Sequence, residues 1–137
     1  MKVFLDTNVL LDLVQDRAGA TDTRKILGIG SENAWVRMYT SYLSMANIAY
    51  VLRKKPMEEV KECLTRLCKL INILPMNDMQ LITAIRNCDS PDFEDSLQIM
   101  CAEDKGCDVI VTGNPSHFLD FTDIPVLSPS NFLARCE

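Results

Sequence analysis

Residues 108–112, Asp-Val-Ile-Val-Thr, constrain the fold more than any other stretch of the chain. Three consecutive β-branched apolar residues leave neither face of a strand polar, so both faces need cover. Strands of that kind belong to parallel sheets held between helical layers. The rest of the sequence supplies the partners. Val3-Phe4-Leu5 reads as a first strand and residues 35–40 as a second. Ile73-Leu74 is a short third strand stopped by Pro75, and Pro125-Val126-Leu127 is a last one. Helical patterns lie between them. Residues 9–14 place Leu10, Leu13 and Val14 on one side. Residues 21–29 form a helix opened by Thr21 or Asp22 and closed near Gly28 and Gly30. Residues 43–53 are apolar enough to be buried on most sides. Pro56, Glu58 and Glu59 start a helix whose apolar stripe is Val60, Cys63, Leu64, Leu67 and Ile71. Asn77 or Asp78 caps another, running to about Asn87; Pro91-Asp92 opens one ending near Gly106; residues 130–136 form a short final helix. The expected class is α/β: a three-layer α/β/α sandwich around a mostly parallel, five-stranded sheet, one domain over residues 1–137.

With 137 residues and 47% hydrophobic content, the chain can build a core without staples. No apolar run is long enough to span a bilayer, and Met1 to Asp6 does not read as a secretion signal, so a cytoplasmic protein with no membrane partner is expected. None of the six cysteines falls in a C-x-x-C pair, and His117 is the single histidine; reduced, mostly buried thiols are expected rather than a zinc site. The net charge of −5 argues against a protein that holds nucleic acid by bulk attraction. It is compatible with an enzyme whose carboxylates hold a cation that meets the phosphate.

In an open parallel sheet, ligands bind beyond the carboxyl ends of the strands. Asp6 stands at the end of the first strand, and Asn114 follows the late one. Asp92 and Asp95, three apart, share a face at the start of the helix between. Gathered carboxylates repel and raise one another's pKa, and a divalent cation removes that cost. Oxygen-only ligands suit Mg²⁺ or Mn²⁺. Each position also has a plainer use. Asp6-Thr7-Asn8 suits a helix N-cap, Asp92 with Asp95 resembles a capping box, and Asn114-Pro115 is a common turn. The run Arg53-Lys54-Lys55 reads as a solvated helix end, and Trp35, Tyr39, Tyr42 and Tyr50 as packing residues rather than base-stacking ones. His117 has no visible partner for a general-base role.

Three segments together resemble the PIN domain family over essentially the whole chain. Val3-Phe4-Leu5-Asp6-Thr7-Asn8 is similar to its opening strand and acid, Asp92-Phe93-Glu94-Asp95-Ser96-Leu97-Gln98 to its second acidic segment, and residues 108–114 to its late strand. The resemblance implies Mg²⁺- or Mn²⁺-dependent cleavage of RNA. It also implies a toxin of a toxin–antitoxin pair, with an antitoxin partner and a possible homodimer. By position it makes Asp6 and Asp95 the main metal ligands, Asp92 an additional acid at the rim and Asn114 a late polar ligand. Asn8 and Thr112 would orient the acids. The family's glutamate in the central helix is absent: no glutamate lies between Ser41 and Lys55, and Asn47 holds the matching place. The alternative is therefore a degenerate PIN domain that binds RNA or a protein partner without cutting.

Overall fold

The structure is a computed structural model, and it describes residues 1–87 and 89–137. The chain runs β1 (Lys2–Leu5), α1 (Thr7–Val14), α2 (Ala20–Glu32), β2 (Arg37–Ser41), α3 (Tyr42–Val51), α4 (Met57–Leu70), β3 (Asn72–Leu74), α5 (Asp78–Asn87), α6 (Phe93–Lys105), β4 (Val109–Val111), a 3₁₀ turn (Pro115–His117), β5 (Val126–Leu127) and α7 (Pro129–Arg135). The strands form one five-stranded sheet in the order β3-β2-β1-β4-β5. Every neighbouring pair is parallel, as the expected α/β sandwich requires.

Strand alternation divides the core in two. Val3 and Leu5 of β1, Met38 of β2, and Val109 and Val111 of β4 face one side, with Val9 and Leu10 of α1, Ile26 of α2 and Val60 and Leu67 of α4. Phe4, Tyr39 and Ile110 face the other, against Ile99, Cys101 and Ala102 of α6. The uninterrupted apolar centre of β4 follows from this, because each of its residues meets a covered face.

Several local expectations change. α1 begins at Thr7 rather than near Val9, because the Asp6 carboxylate accepts from the Thr7 backbone N–H and caps the helix there. α2 runs through Gly28 and Gly30 to Glu32. Gly30 serves close approach, not termination: a Cβ there would stand 2.7 Å from the Met38 side chain. α3 is not buried on most sides; Ser44 and Ile48 are buried, while Tyr42 is 59% and Tyr50 66% exposed. Trp35, expected to open the second strand, precedes β2 and is 84% exposed. Asn77 caps α5 with Gln80 in a reciprocal box, each side chain accepting from the other's backbone N–H. Of the cysteines, Cys101 and Cys107 are buried, Cys63 is half-buried, Cys68 and Cys136 are exposed, and Cys88 lies outside the described residues. No helix among the described residues is long and apolar enough to cross a membrane.

Candidate active site

β1 and β4 are neighbours, and the connections leaving their carboxyl ends run in opposite directions, from β1 toward β2 and from β4 toward β5. A crevice opens at such a point, and Asp6 stands there. Its carboxylate is tied on every side. The Thr112 hydroxyl donates to Oδ2 at 2.8 Å, the Thr7 backbone N–H donates to Oδ1 at 2.8 Å, and Gln98 Nε2 reaches Oδ1 at 3.3 Å. The side chain is nearly buried. Burial pushes its pKa above the ordinary carboxylate value, the three hydrogen bonds pull it back, and the charge of Asp92 adds to the rise. The N-cap reading and the functional reading of Asp6 therefore coexist: Oδ1 caps α1, and Oδ2 is aimed by Thr112.

Thr112 holds that aim because the Asn114 backbone N–H donates to its hydroxyl oxygen at 3.1 Å. The hydroxyl proton is left for Asp6. Asn8, expected to orient an acid, instead accepts from the Gly113 N–H at 3.1 Å and pins the loop after β4. The first turn of α6 brings the second acid. Asp92 accepts from the backbone N–H groups of Glu94 and Asp95, at 2.9 and 3.2 Å, so its carboxylate is engaged as the N-cap. Asp95 points into the cleft. Burial, then the charges of Asp92 and Asp6, push its carboxyl up to about 6, with His117 working against them and Glu94 adding to them. His117 Nδ1 lies 3.8 Å from Asp95 Oδ2, so the histidine has the partner that sequence does not reveal.

A cleft of about 300 Å³ is lined by Asp6, Asn8, Asn47, Glu94, Asp95 and Gln98, with Leu11, Leu43, Tyr50 and Val51 on its apolar side. Of the residues singled out in the sequence, Asp6, Asp95, Asn8 and Asn47 thus share one cleft. Thr112 supports it from behind, Asp92 caps the helix beside it, and the Asn114 side chain is not part of the lining. Two residues were missed. Glu94 lines the cleft and accepts from Asn47 Nδ2 at 3.4 Å, bringing a carboxylate to α3 where the sequence has none. Gln98 is 2% exposed and links Asp6 to Thr7, Ser44 and Ser41. Its spacing of three from Asp95 was the available signal.

Among the described residues no three Asp, Glu, His or Cys side chains already form a cation cage. Mg²⁺ does not need one; it keeps several waters and takes one or two carboxylates. Asp6 and Asp95, in one cleft, fit that demand in chemistry and in charge.

A PIN domain family model matches residues 2–116. The chain belongs to the PIN domain family. Ribonuclease VapC1 of Aquifex aeolicus (strain VF5) is 27% identical over 143 residues, covering 98% of this chain and 94% of that protein. Among solved structures, VapBC2 from Rickettsia felis, bound to a DNA fragment from its promoter, superposes with a TM-score of 0.73 at 16% identity, covering 92% of this chain and 97% of that one. VapBC-1 from nontypeable Haemophilus influenzae gives 0.73 at 18% identity, covering 95% and 99%. At such identities these structures speak for the fold, a PIN-like α/β sandwich. Glu94 of α6 stands beside Asn47 of α3 in the cleft.

Proposed function

We propose that this PIN domain is a metal-dependent endoribonuclease and the toxin of a toxin–antitoxin pair. The observation that carries the reading is the convergence of Asp6 and Asp95 in one cleft at the carboxyl end of β1, with the Asp95 carboxyl pushed to about 6 partly by the charge of Asp6. Two acids drawn into one partly enclosed cleft, each raised first by burial, are suited to a cation. The likeness to Ribonuclease VapC1 over nearly the full length of both chains supports RNA as the substrate. The likeness to VapBC structures supports an antitoxin partner.

In this reading Asp6 and Asp95 are the Mg²⁺ or Mn²⁺ ligands. When bound, the cation supplies positive charge to the scissile phosphate and lowers the pKa of the attacking water. The chain's own residues set the geometry. Thr112 and Gln98 hold Asp6 in one rotamer, and the Asn114 N–H fixes the direction of the Thr112 proton. Asp92 anchors the turn that presents Glu94 and Asp95. Glu94 adds a third negative charge across the cleft, held by Asn47. Asn114 contributes through its backbone N–H to Thr112, and its side chain stands outside the cleft lining.

Incubation of purified protein with total RNA and Mn²⁺ tests the reading. Asp6→Asn should abolish cleavage, a loss of at least about a hundredfold for a removed metal ligand. Cleavage that survives in Asp6→Asn would reject the mechanism. Asn47 favours one other reading, a PIN domain that binds RNA or a protein without cutting; cleavage by the unaltered chain that depends on Asp6 rejects it. Self-association completes the proposal, and sedimentation velocity decides it.

A further inference from the structure

Tyr50 is 66% exposed, yet it lines the same cleft as Asp6 and Asp95. A large aromatic left in water at the lip of a polar cleft gains nothing from packing. Its position is nonetheless held. The Arg53 guanidinium lies over its ring, 4.1 Å from the centroid, and Arg53 Nη1 donates to the Tyr50 carbonyl at 2.9 Å. The pair is a planar cation stacked on an aromatic ring, set at the carboxyl end of α3.

The two sides of the cleft differ in kind. Asp6, Glu94 and Asp95 form an acidic side, while Leu11, Leu43 and Val51 line an apolar side next to Tyr50. Ribose-phosphate bound near the acids leaves its neighbouring base to be placed. The apolar side, ending in an exposed ring, suits a flat, weakly polar group. The protein's net charge of −5 gives RNA no general attraction, so affinity must come from local contacts. Arg53 is exposed and stacked on Tyr50, so one positive charge and a stacking surface coincide at the cleft mouth.

We propose that Tyr50, backed by Arg53, is a stacking platform that takes one unpaired base of the RNA beside the cleaved phosphate, with Arg53 contacting the backbone. The proposal rests on the ribonuclease reading of the cleft. It makes Tyr50 and Arg53 determinants of which RNA is accepted: the base beside the cut must be free to leave its own stack. Tyr42 provides an internal control, because it is exposed on the same helix but is not part of the cleft lining.

The test measures binding in the Asp6→Asn background, so that no RNA is consumed. Fluorescence anisotropy follows a short labelled single-stranded RNA, and the same strand annealed into a duplex. Tyr50→Ala should weaken the single strand about tenfold or more and leave the duplex unchanged, since a stacked base is worth that much. Tyr50→Trp should retain binding, and Tyr42→Ala should match the parent. Arg53→Ala should weaken binding and reduce its salt dependence by about one phosphate contact. Melting curves confirm that each variant is folded. Parent-like binding by folded Tyr50→Ala overturns the proposal, as does an equal loss on both RNAs or no binding by the parent. Failure of the unaltered chain to cut any RNA in the presence of Mn²⁺ sinks the ribonuclease reading instead, so the two failures are distinct.

Discussion

Asp95 carries opposing demands in a single side chain. Its carboxyl is raised from 3.8 to about 6, so the folded, metal-free protein binds more protons than the unfolded chain between those values. Stability contributed by this group is therefore full below about pH 4 and declines as pH rises through about 6. At neutral pH the ionised Asp95 costs on the order of 2 kcal/mol once solvent screening of its exposed part is discounted, the direction of Asp6 being the same. Asp95→Asn should stabilise the metal-free protein at pH 7 by roughly that amount and flatten the pH profile between 4 and 6; urea melts at several pH values measure both effects. A variant less stable at pH 7 would show that Asp95 is held by attractions rather than by burial and repulsion. Asp6 and Asp95 were legible in the sequence because each sits at a marked place, one ending a strand and one in a helix's first turn. Glu94 and Gln98 were not. Their roles depend on how α6 meets α3, which the sequence does not show; the spacing of three between Asp95 and Gln98 marks a shared helix face but not what that face meets.

Among elements, α2 shows where local signals mislead. Two glycines near its end read as a stop, yet the helix continues through both to Glu32. They now make opposite predictions. A Cβ at Gly28 meets nothing within 4 Å, so Gly28→Ala should stabilise by about 0.5–1 kcal/mol through helix propensity. A Cβ at Gly30 would meet Met38 at 2.7 Å, so Gly30→Ala should destabilise by about 1–3 kcal/mol through overpacking of α2 on β2. Denaturant midpoints for the two variants should move apart; movement in the same direction would remove close approach as the reason for Gly30. The strands were readable because burial on both faces leaves an apolar run that no helix of that length needs. α3 was misread for the converse reason. Its apolar composition implied burial, but composition cannot separate a packed aromatic from one held at a cleft mouth.

At the scale of the whole molecule, stability and function meet through the cation. If Asp6 and Asp95 share Mn²⁺, the metal relieves the repulsion that destabilises the empty cleft. The melting temperature should then rise with Mn²⁺, by an amount equivalent to about 2.7 kcal/mol at a hundredfold excess over the dissociation constant. Asp6→Asn should abolish that rise, and Glu94→Gln should shrink it. An equal rise in all three proteins would mean that Mn²⁺ acts elsewhere on this acidic chain.

The parallel sheet also makes the site a product of chain order. Asp6 follows the first strand, yet the hydroxyl that aims it, Thr112, lies 106 residues later and follows β4. β1 and β4 are direct neighbours in the sheet, so nothing made between them can substitute for the late strand. During synthesis the earliest acid therefore waits unaimed until almost the entire chain has emerged. For the ribonuclease proposed above, the half-made chain carries the acid but not the hydroxyl that sets it.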